Sequence, residues 1–421
     1  MRPLALSWIA AATGGRLAGA DRTVDAVATD TRALPAGRDA LFVALPGERF
    51  DGHDHAAAAV AGGCVAALVA RPLALAVPQV VVADVRRALA DLAAAVQRER
   101  TGTRVVAVTG SNGKTSVKAL AEAVLSRAGR THATPGNRNN EIGLPLAVLD
   151  APEDADFAIY EMGTGAPGDI AYLTAIAAPD VGIVNNVGPA HLERMGSLLE
   201  IANTKAAVYD DLRAGGVAVV NADDAFAPYF AQRAGGHRIV RFGLDHGADV
   251  GARDVQLAAE GSRFMLLAPD GEAPVAMALP GRHNVRNALA AAAIGNALGL
   301  DVATIAAGLA AARPVQGRQL AHALRSGAVL VDDSYNANPH SLAAAVDTLA
   351  AAVAGQAGAE AWLVLGDMRE LGPEEAALHA QAGAHARAAG IARLYALGPL
   401  SAHAARAFGE GARTFDTHAA L

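Results

Sequence analysis

An apolar run, Val105-Val106-Ala107-Val108, passes directly into Thr109-Gly110-Ser111-Asn112-Gly113-Lys114-Thr115-Ser116, and a helix-like stretch from Val117 to Ala128 follows. Strand, glycine-rich turn and helix in that order make a phosphate-gripping loop. Glycine lets the backbone approach phosphates, the helix N-terminus turns bare N–H groups toward them, Lys114 neutralises charge and the Thr115 hydroxyl is suited to a magnesium ion. The general form of this loop has a glycine where Val108 stands. A plain Gly-Asn turn before a surface lysine explains some of these letters, but the four features together point to ATP.

With 421 residues the chain exceeds what one hydrophobic core usually serves, so two or three domains are expected. Its hydrophobic share of 52% comes from alanine-dense helices, without an apolar run of about 18 residues, so no membrane span is expected. A net charge of -7 argues against a nucleic-acid partner, and the lone Cys64 fits a reducing compartment. The stretch Met1 to Ala12 slightly resembles a secretory signal, with Ala18-Gly19-Ala20 as a cleavage site; Ser7 and the Thr13-Gly14-Gly15-Arg16 break favour a short first helix instead. A cytoplasmic ATP-using enzyme is the expectation.

Residues 1–83 read as one α/β unit with two chemically busy turns, Thr29-Asp30-Thr31-Arg32 and Pro46 to His53. Residues 84–313 read as the ATP-binding unit. Its apolar runs at Asp156 to Tyr160, Val181 to Asn185, Gly216 to Val220 and Arg238 to Phe242 alternate with helical or irregular segments, as a mainly parallel sheet requires. Beyond Arg313-Pro314, strands at Ala328 to Val331, Trp362 to Leu365 and Leu394 to Leu397 suggest a third, Rossmann-like α/β unit over 314–421.

Ligands of open parallel sheets sit at the carboxyl ends of the strands. There the sequence places the phosphate loop, then Glu161, then Asn186-Val187-Gly188-Pro189-Ala190-His191-Leu192-Glu193. A carboxylate, an imidazole and the Thr115 hydroxyl would converge beside the phosphates, hardware suited to magnesium; alone, His191 is an ordinary polar loop residue. Lys205 lies among mostly apolar neighbours. Most such lysines reach solvent, but a buried one tends to lose its proton, and a neutral amine can take up carbon dioxide as a carbamate. His283 and Asn287, four apart, share a helix face where a ring and an amide suit adenine, whereas capping by Asn284 accounts for the same letters equally well. The C-terminal unit adds Asp332-Asp333-Ser334-Tyr335-Asn336-Ala337-Asn338-Pro339 and Leu365 to Gly372, each after a strand.

These residues resemble the Mur ligases. The shortened loop TGSNGKTS, GNRNNEIGLP (136–145), NVGPAHLE (186–193), PGRHNVRNALAA (280–291), DDSYNANPHS (332–341) and LGDMRELG (365–372) are similar to that family's motifs, in order and across the whole chain. SYNANP and GDMRELG resemble the branch that handles D-alanyl-D-alanine, against branches adding diaminopimelate, lysine or folate-linked glutamate. From another class, a nucleotide-binding regulator without ligase activity is the alternative.

The resemblance implies an ATP-dependent amide ligase that adds D-alanyl-D-alanine to UDP-N-acetylmuramoyl-tripeptide through an acyl phosphate, acting as a monomer with magnesium. Lys114, His191 and Lys205 would be catalytic, with Thr109 to Ser116 holding the triphosphate. Thr115 and Glu161 would hold one magnesium, and His191 with a carbamylated Lys205 a second. His283, Asn284 and Asn287 would surround adenine, and Arg318 and Asp333 would reach the nucleotide from the C-terminal unit. Thr31, Arg32, Gly47, Phe50, Asp51, Gly52 and His53 would form the uridine-diphosphate site. Asn137, Asn139, Asn140, Asn336 and Asn338 would face the peptide substrates. Such ligases continue some tens of residues past the point equivalent to Leu421, through a Lys-Gly-Ser segment not found here, so a truncated third domain is expected. Whether the tripeptide ends in meso-diaminopimelate or lysine stays open.

Overall fold

The computed structural model describes residues 1–47, 49–189, 192–356 and 358–421, Leu192 by its backbone alone. Its centre is a six-stranded, wholly parallel sheet in the spatial order Arg238–Phe242, Val217–Asn221, Val181–Val184, Arg104–Thr109, Phe157–Glu161, Thr131–Ala133. The chain starts this sheet in the middle, builds two strands to one side, then crosses to build three on the other. That reversal leaves a crevice at the carboxyl end of Arg104–Thr109, flanked by the ends of Phe157–Glu161 and Val181–Val184.

Alternation along the strands explains why the sheet is buried on both faces. Val105, Ala107, Ala158, Tyr160, Ala218 and Val220 face one core; Val106, Val108, Ile159, Val217 and Val219 face the other. The first core also takes in Leu41, Val43 and Leu68 of a five-stranded N-terminal sheet, ordered Arg16–Ala18, Gln79–Val81, Ala66–Val69, Ala40–Val43, Ala26–Ala28. Helix Val85–Glu99 joins the two: Asp84 caps it through Arg86 N and Arg87 N, and Ala88, Leu89, Leu92 and Val96 form its apolar stripe. The short first helix is found at Leu6–Ala12, followed by Gly14 with φ of +62°. The described residues contain no helix long and apolar enough to cross a membrane.

After Arg238–Phe242 the expected strand–helix alternation breaks. Gly251–Ala258, Gly261–Ala268 and Gly271–Met277 form an antiparallel meander, with Phe264, Leu266, Ala273, Val275 and Met277 turned inward at a period of two. Pro269-Asp270 form the two-residue turn between the second and third of these strands, closed by the Ala268–Gly271 pair. The C-terminal strands form two separate sheets: the hairpin Leu320–Ala323 with Val329–Asp332, and the parallel set Trp362–Gly366, Arg393–Leu397, Ala412–Phe415.

Candidate nucleotide-dependent active site

The phosphate loop is built as its letters require. Helix Lys114–Leu125 starts at Gly113, whose φ of +76° lies in the left-handed region. A Cβ there would also stand 2.5 Å from Asn287 Oδ1 and 2.7 Å from Asn185 Nδ2, so glycine is needed twice over. Lys114 Nζ donates to Gly110 O at 2.8 Å. Burial lowers the pKa of this ammonium, with Glu161 opposing and Arg318 adding to the effect.

Asparagines at the ends of two strands hold the loop. Asn186 accepts from Asn112 N at 2.8 Å and donates back to Asn112 O at 3.0 Å. Asn185 donates to Asn112 O and to Asn287 Oδ1, and Asn221 donates to Asn185 O. Ser111 Oγ exchanges bonds with the backbone of Gly188, while Asp224 accepts from Val187 N. Every buried polar group here is matched, the condition under which such a network fixes one geometry. Asn185, Asn221 and Asp224 were not anticipated from the sequence, although Asn185 directly follows one central strand, Asn221 ends another and Asp224 lies three residues beyond it.

Glu161 ends its strand 2% exposed, with Oε1 accepting from Asn139 Nδ2 at 2.8 Å and Oε2 lacking a hydrogen-bond partner. Thr115 Oγ1 lies on the same cleft and accepts from Arg318 Nη2 at 3.5 Å. Glu161 Oε2 has the Lys118 ammonium 3.3 Å away but accepts no hydrogen bond, and a carboxylate and a hydroxyl lining one cleft are ligand types suited to a hard divalent cation. Among the described residues no group of three or more His, Cys, Asp or Glu side chains could hold a metal. His191 lies outside those residues.

Lys205 is 1% exposed, and no carboxylate pairs with it among the described residues. Burial, reinforced by the charge of Lys114, holds its pKa well below the usual lysine value. It does not line the cleft.

The residues expected around adenine gather on helix Arg282–Ala297. Asn284 does not cap it, since Gly281 occupies that position; instead Asn284 Nδ2 donates to Pro280 O and Asn284 Oδ1 accepts from Asn287. His283 is pushed down to about 4, chiefly by burial, and is therefore neutral at working pH. From across the cleft the C-terminal unit contributes Arg318, stacked on the Tyr335 ring at 4.1 Å, and Asp333, whose pKa burial raises. Asn338 caps helix Pro339–Val353 through Ser341 and donates to Asn112 Oδ1 at 2.6 Å. All these groups line one cleft of about 830 Å³.

Of the remaining expected residues, Asn139, Asn140 and Asn336 also line this cleft, whereas Asn137 and the N-terminal turns stand elsewhere. Of the asparagine loop, Asn139 reaches Glu161, Asn140 also lines the cleft but spends its Oδ1 on Gly143 N, and Asn137 is exposed away from the wall. Asn336 lines the cleft and accepts from Ala337 N. The N-terminal turns lie outside this cleft, after the neighbouring strands Ala26–Ala28 and Ala40–Val43. Thr31 is half-buried, and Arg32 is exposed but tied bidentately to Asp30. Phe50 is exposed beside Gly47, and a Cβ on Gly52 would meet Leu45 N at 2.6 Å. Asp51 accepts from His53 N and from Arg71, while the buried His53 ring holds Asp51 through Nδ1 and Ala70 N through Nε2. With both nitrogens engaged, His53 shapes the turn, and the Phe50 ring stands exposed.

A phosphate loop at a topological switch point, closed from outside its own sheet by an arginine and an asparagine, defines a nucleotide-dependent enzyme assembled from several α/β units. Family models match in sequence order: Mur ligase family, catalytic domain, over residues 23–99; Mur ligase middle domain over 108–295; and Mur ligase, glutamate ligase domain, over 317–421. The UDP-N-acetylmuramoyl-tripeptide–D-alanyl-D-alanine ligase of Escherichia coli K12 is 42% identical over 422 residues, covering 100% of this chain and 92% of that protein. MurF of Acinetobacter baumannii superimposes with a TM-score of 0.93 at 33% identity, over 100% of this chain and 91% of that one. The MurF ligase of Thermotoga maritima, solved in complex with ADP, gives 0.81 at 27% identity, over 93% and 88%. The chain belongs to the Mur ligase family, and it is an ATP-dependent ligase.

Proposed function

We propose that this ligase joins D-alanyl-D-alanine to UDP-N-acetylmuramoyl-tripeptide in the cytoplasm, completing the peptidoglycan precursor pentapeptide. The observation that carries this reading is the reach of Asn338 and Arg318, from the segment around DDSYNANP, onto Asn112 and Thr115 of the phosphate loop. The full-length likeness to the E. coli enzyme supports the choice of substrates. We assign the uridine-linked substrate to 1–83, ATP to 84–313 and the incoming dipeptide to 314–421.

The tripeptide carboxylate attacks the γ-phosphorus, its oxygen bonding to phosphorus as the bond to the β-phosphate oxygen breaks, and ADP leaves. The dipeptide amine then displaces phosphate from the acyl phosphate, losing a proton. Lys114 and the N–H groups opening helix Lys114–Leu125 stabilise charge on the phosphates. Arg318 brings a second cation to the same place from the C-terminal unit. The closed wall excludes water from the acyl phosphate. Thr115 and Glu161 would hold a magnesium ion, which supplies charge neutralisation on the phosphoryl oxygens. His191 and Lys205 complete the reading as a second pair; a neutral Lys205 amine adds to carbon dioxide and releases one proton to give an anionic carbamate.

ADP and phosphate should appear only when the UDP-tripeptide and D-alanyl-D-alanine are both present. Equal phosphate release with free lysine, or with no amine, would sink the assignment.

A further inference from the structure

Four residues beyond Lys114, one helical turn along, stands a second lysine that the chemistry above leaves unused. Lys118 is 6% exposed, and its ammonium donates to Thr134 O at 2.8 Å and to Gly136 O at 2.9 Å. The same nitrogen lies 3.3 Å from Glu161 Oε2, the oxygen without a hydrogen-bond partner. Thr134 in turn accepts from Glu161 N through Oγ1 at 3.0 Å, and Asn139, three residues past Gly136, holds Glu161 Oε1. One buried ammonium therefore fastens the start of the asparagine loop and faces the carboxylate, while that loop returns to grip the carboxylate from its other side.

A lysine buried to this extent normally has a carboxylate partner with full hydrogen bonds. Here its short bonds go to two carbonyls, and the carboxylate oxygen it faces is buried and accepts no hydrogen bond. The arrangement orients Glu161 without consuming the lone pairs a cation would need. It also ties two walls: the helix of the phosphate loop, and residues 134–140, which carry the asparagines assigned to the peptide substrate.

We propose that Lys118 is a positioning residue that sets Glu161 and the 134–140 loop together, so that divalent-cation binding and muramoyl-peptide binding depend on the same ammonium. This rests on the ligase reading above. Outer partners that orient a metal ligand are worth roughly 10- to 100-fold in affinity or activity. Lys118→Met keeps most of the side chain's length while removing the donors and the charge.

Calorimetry of the full-length protein with UDP-tripeptide in EDTA, without nucleotide, should show the Lys118→Met variant binding about tenfold more weakly or worse. The apparent magnesium constant in turnover should rise by a similar factor, while ADP affinity in EDTA stays within about threefold of wild type. Asn139→Ala should shift the same two constants. The double variant should be little worse than either single one, because both side chains act through one carboxylate and one loop. Unchanged tripeptide and magnesium constants in Lys118→Met overturn the proposal, as do additive effects in the double variant. Should Lys118→Met fail to fold, wild-type constants in Asn139→Ala overturn it equally. Failure of the wild type itself to bind UDP-tripeptide would instead count against the functional reading.

Discussion

The two walls of the cleft are made of similar parts and held very differently. In the central sheet Val105 to Val108 are fully buried, and helices cover both faces, as parallel strands require. In the C-terminal unit Val329 is 64% exposed, Trp362 52% and Val364 59%, and strands Val329–Asp332 and Trp362–Gly366 lie in different sheets. The phosphate loop thus sits on a rigid floor. Arg318, Asp333, Asn336 and Asn338 ride on a part with a smaller core and are tied to the floor by a few polar contacts such as Asn338 to Asn112. A rigid floor suits charge stabilisation, and a loosely held wall suits a site that must admit a bulky substrate and then exclude water.

If the floor carries the chemistry, damage there should dominate. Lys114→Ala should lower turnover by about 10³-fold or more while UDP-tripeptide binding, assigned to the N-terminal unit, stays near wild type. Losing both together would break the division of labour. Lys205→Ala should cost roughly 10²- to 10³-fold in ligation without loss of fold, and acetate or formate should restore part of the rate by standing in for the carbamate. Rescue by alkylamines instead would show that a cation, and not an anion, had been removed.

Damage at the wall should be milder and should appear in binding and motion. Asn338→Ser keeps a capping hydroxyl for helix Pro339–Val353 but cannot span to Asn112, so the cap and the tether are separated. Loss of one such bond corresponds to about 1 kcal/mol, and the Michaelis constant for ATP should rise about fivefold. Hydrogen exchange over residues 317–421 should accelerate while the central strands remain protected. Equal acceleration in both regions would mean that the cleft walls unfold as one unit and that the contrast in burial has no dynamic counterpart.

The same contrast explains what the sequence disclosed. Phosphate loop, Glu161 and the NANP segment were legible because each is a local pattern at a strand end, where topology alone assigns a role. The Asn338 to Asn112 bond spans 226 residues, and no local pattern announces it. Lys118 was passed over because a lysine four residues after Lys114 looks like one of many helix lysines until the turn at 134–136 folds over it. The meander at 251–277 was not read from the sequence, although its period-two alternation was present. His53 was read by its position in a turn, and only the fold shows that its ring points inward.

The smallest effect concerns the seam itself. His283 belongs to the floor, on helix Arg282–Ala297, but the wall covers it. A Cβ on Gly281 would touch both the His283 ring and Thr348 of the C-terminal helix, and the Gln319 side chain only partly offsets the burial. Its pKa falls from the ordinary 6.5 to about 4. With the wall docked, His283 stays neutral down to about pH 4; with the wall lifted away, the ring regains water and its pKa rises back toward the ordinary value, Arg286 on its own helix still opposing the proton. The lifted state therefore binds more protons between those values. Docking is at full strength above pH 6.5 and weakens as pH falls toward 4, whereas below that the ring is charged in both states and the dependence ends. An NMR titration of the His283 ring should give a midpoint well under 6.5 in the wild type, moving up toward it in Asn338→Ser as the wall spends more time undocked. A midpoint at 6.5 in both proteins would show that the C-terminal unit does not cover the helix in solution, and the comparison of a rigid floor with a docked wall would have to be withdrawn.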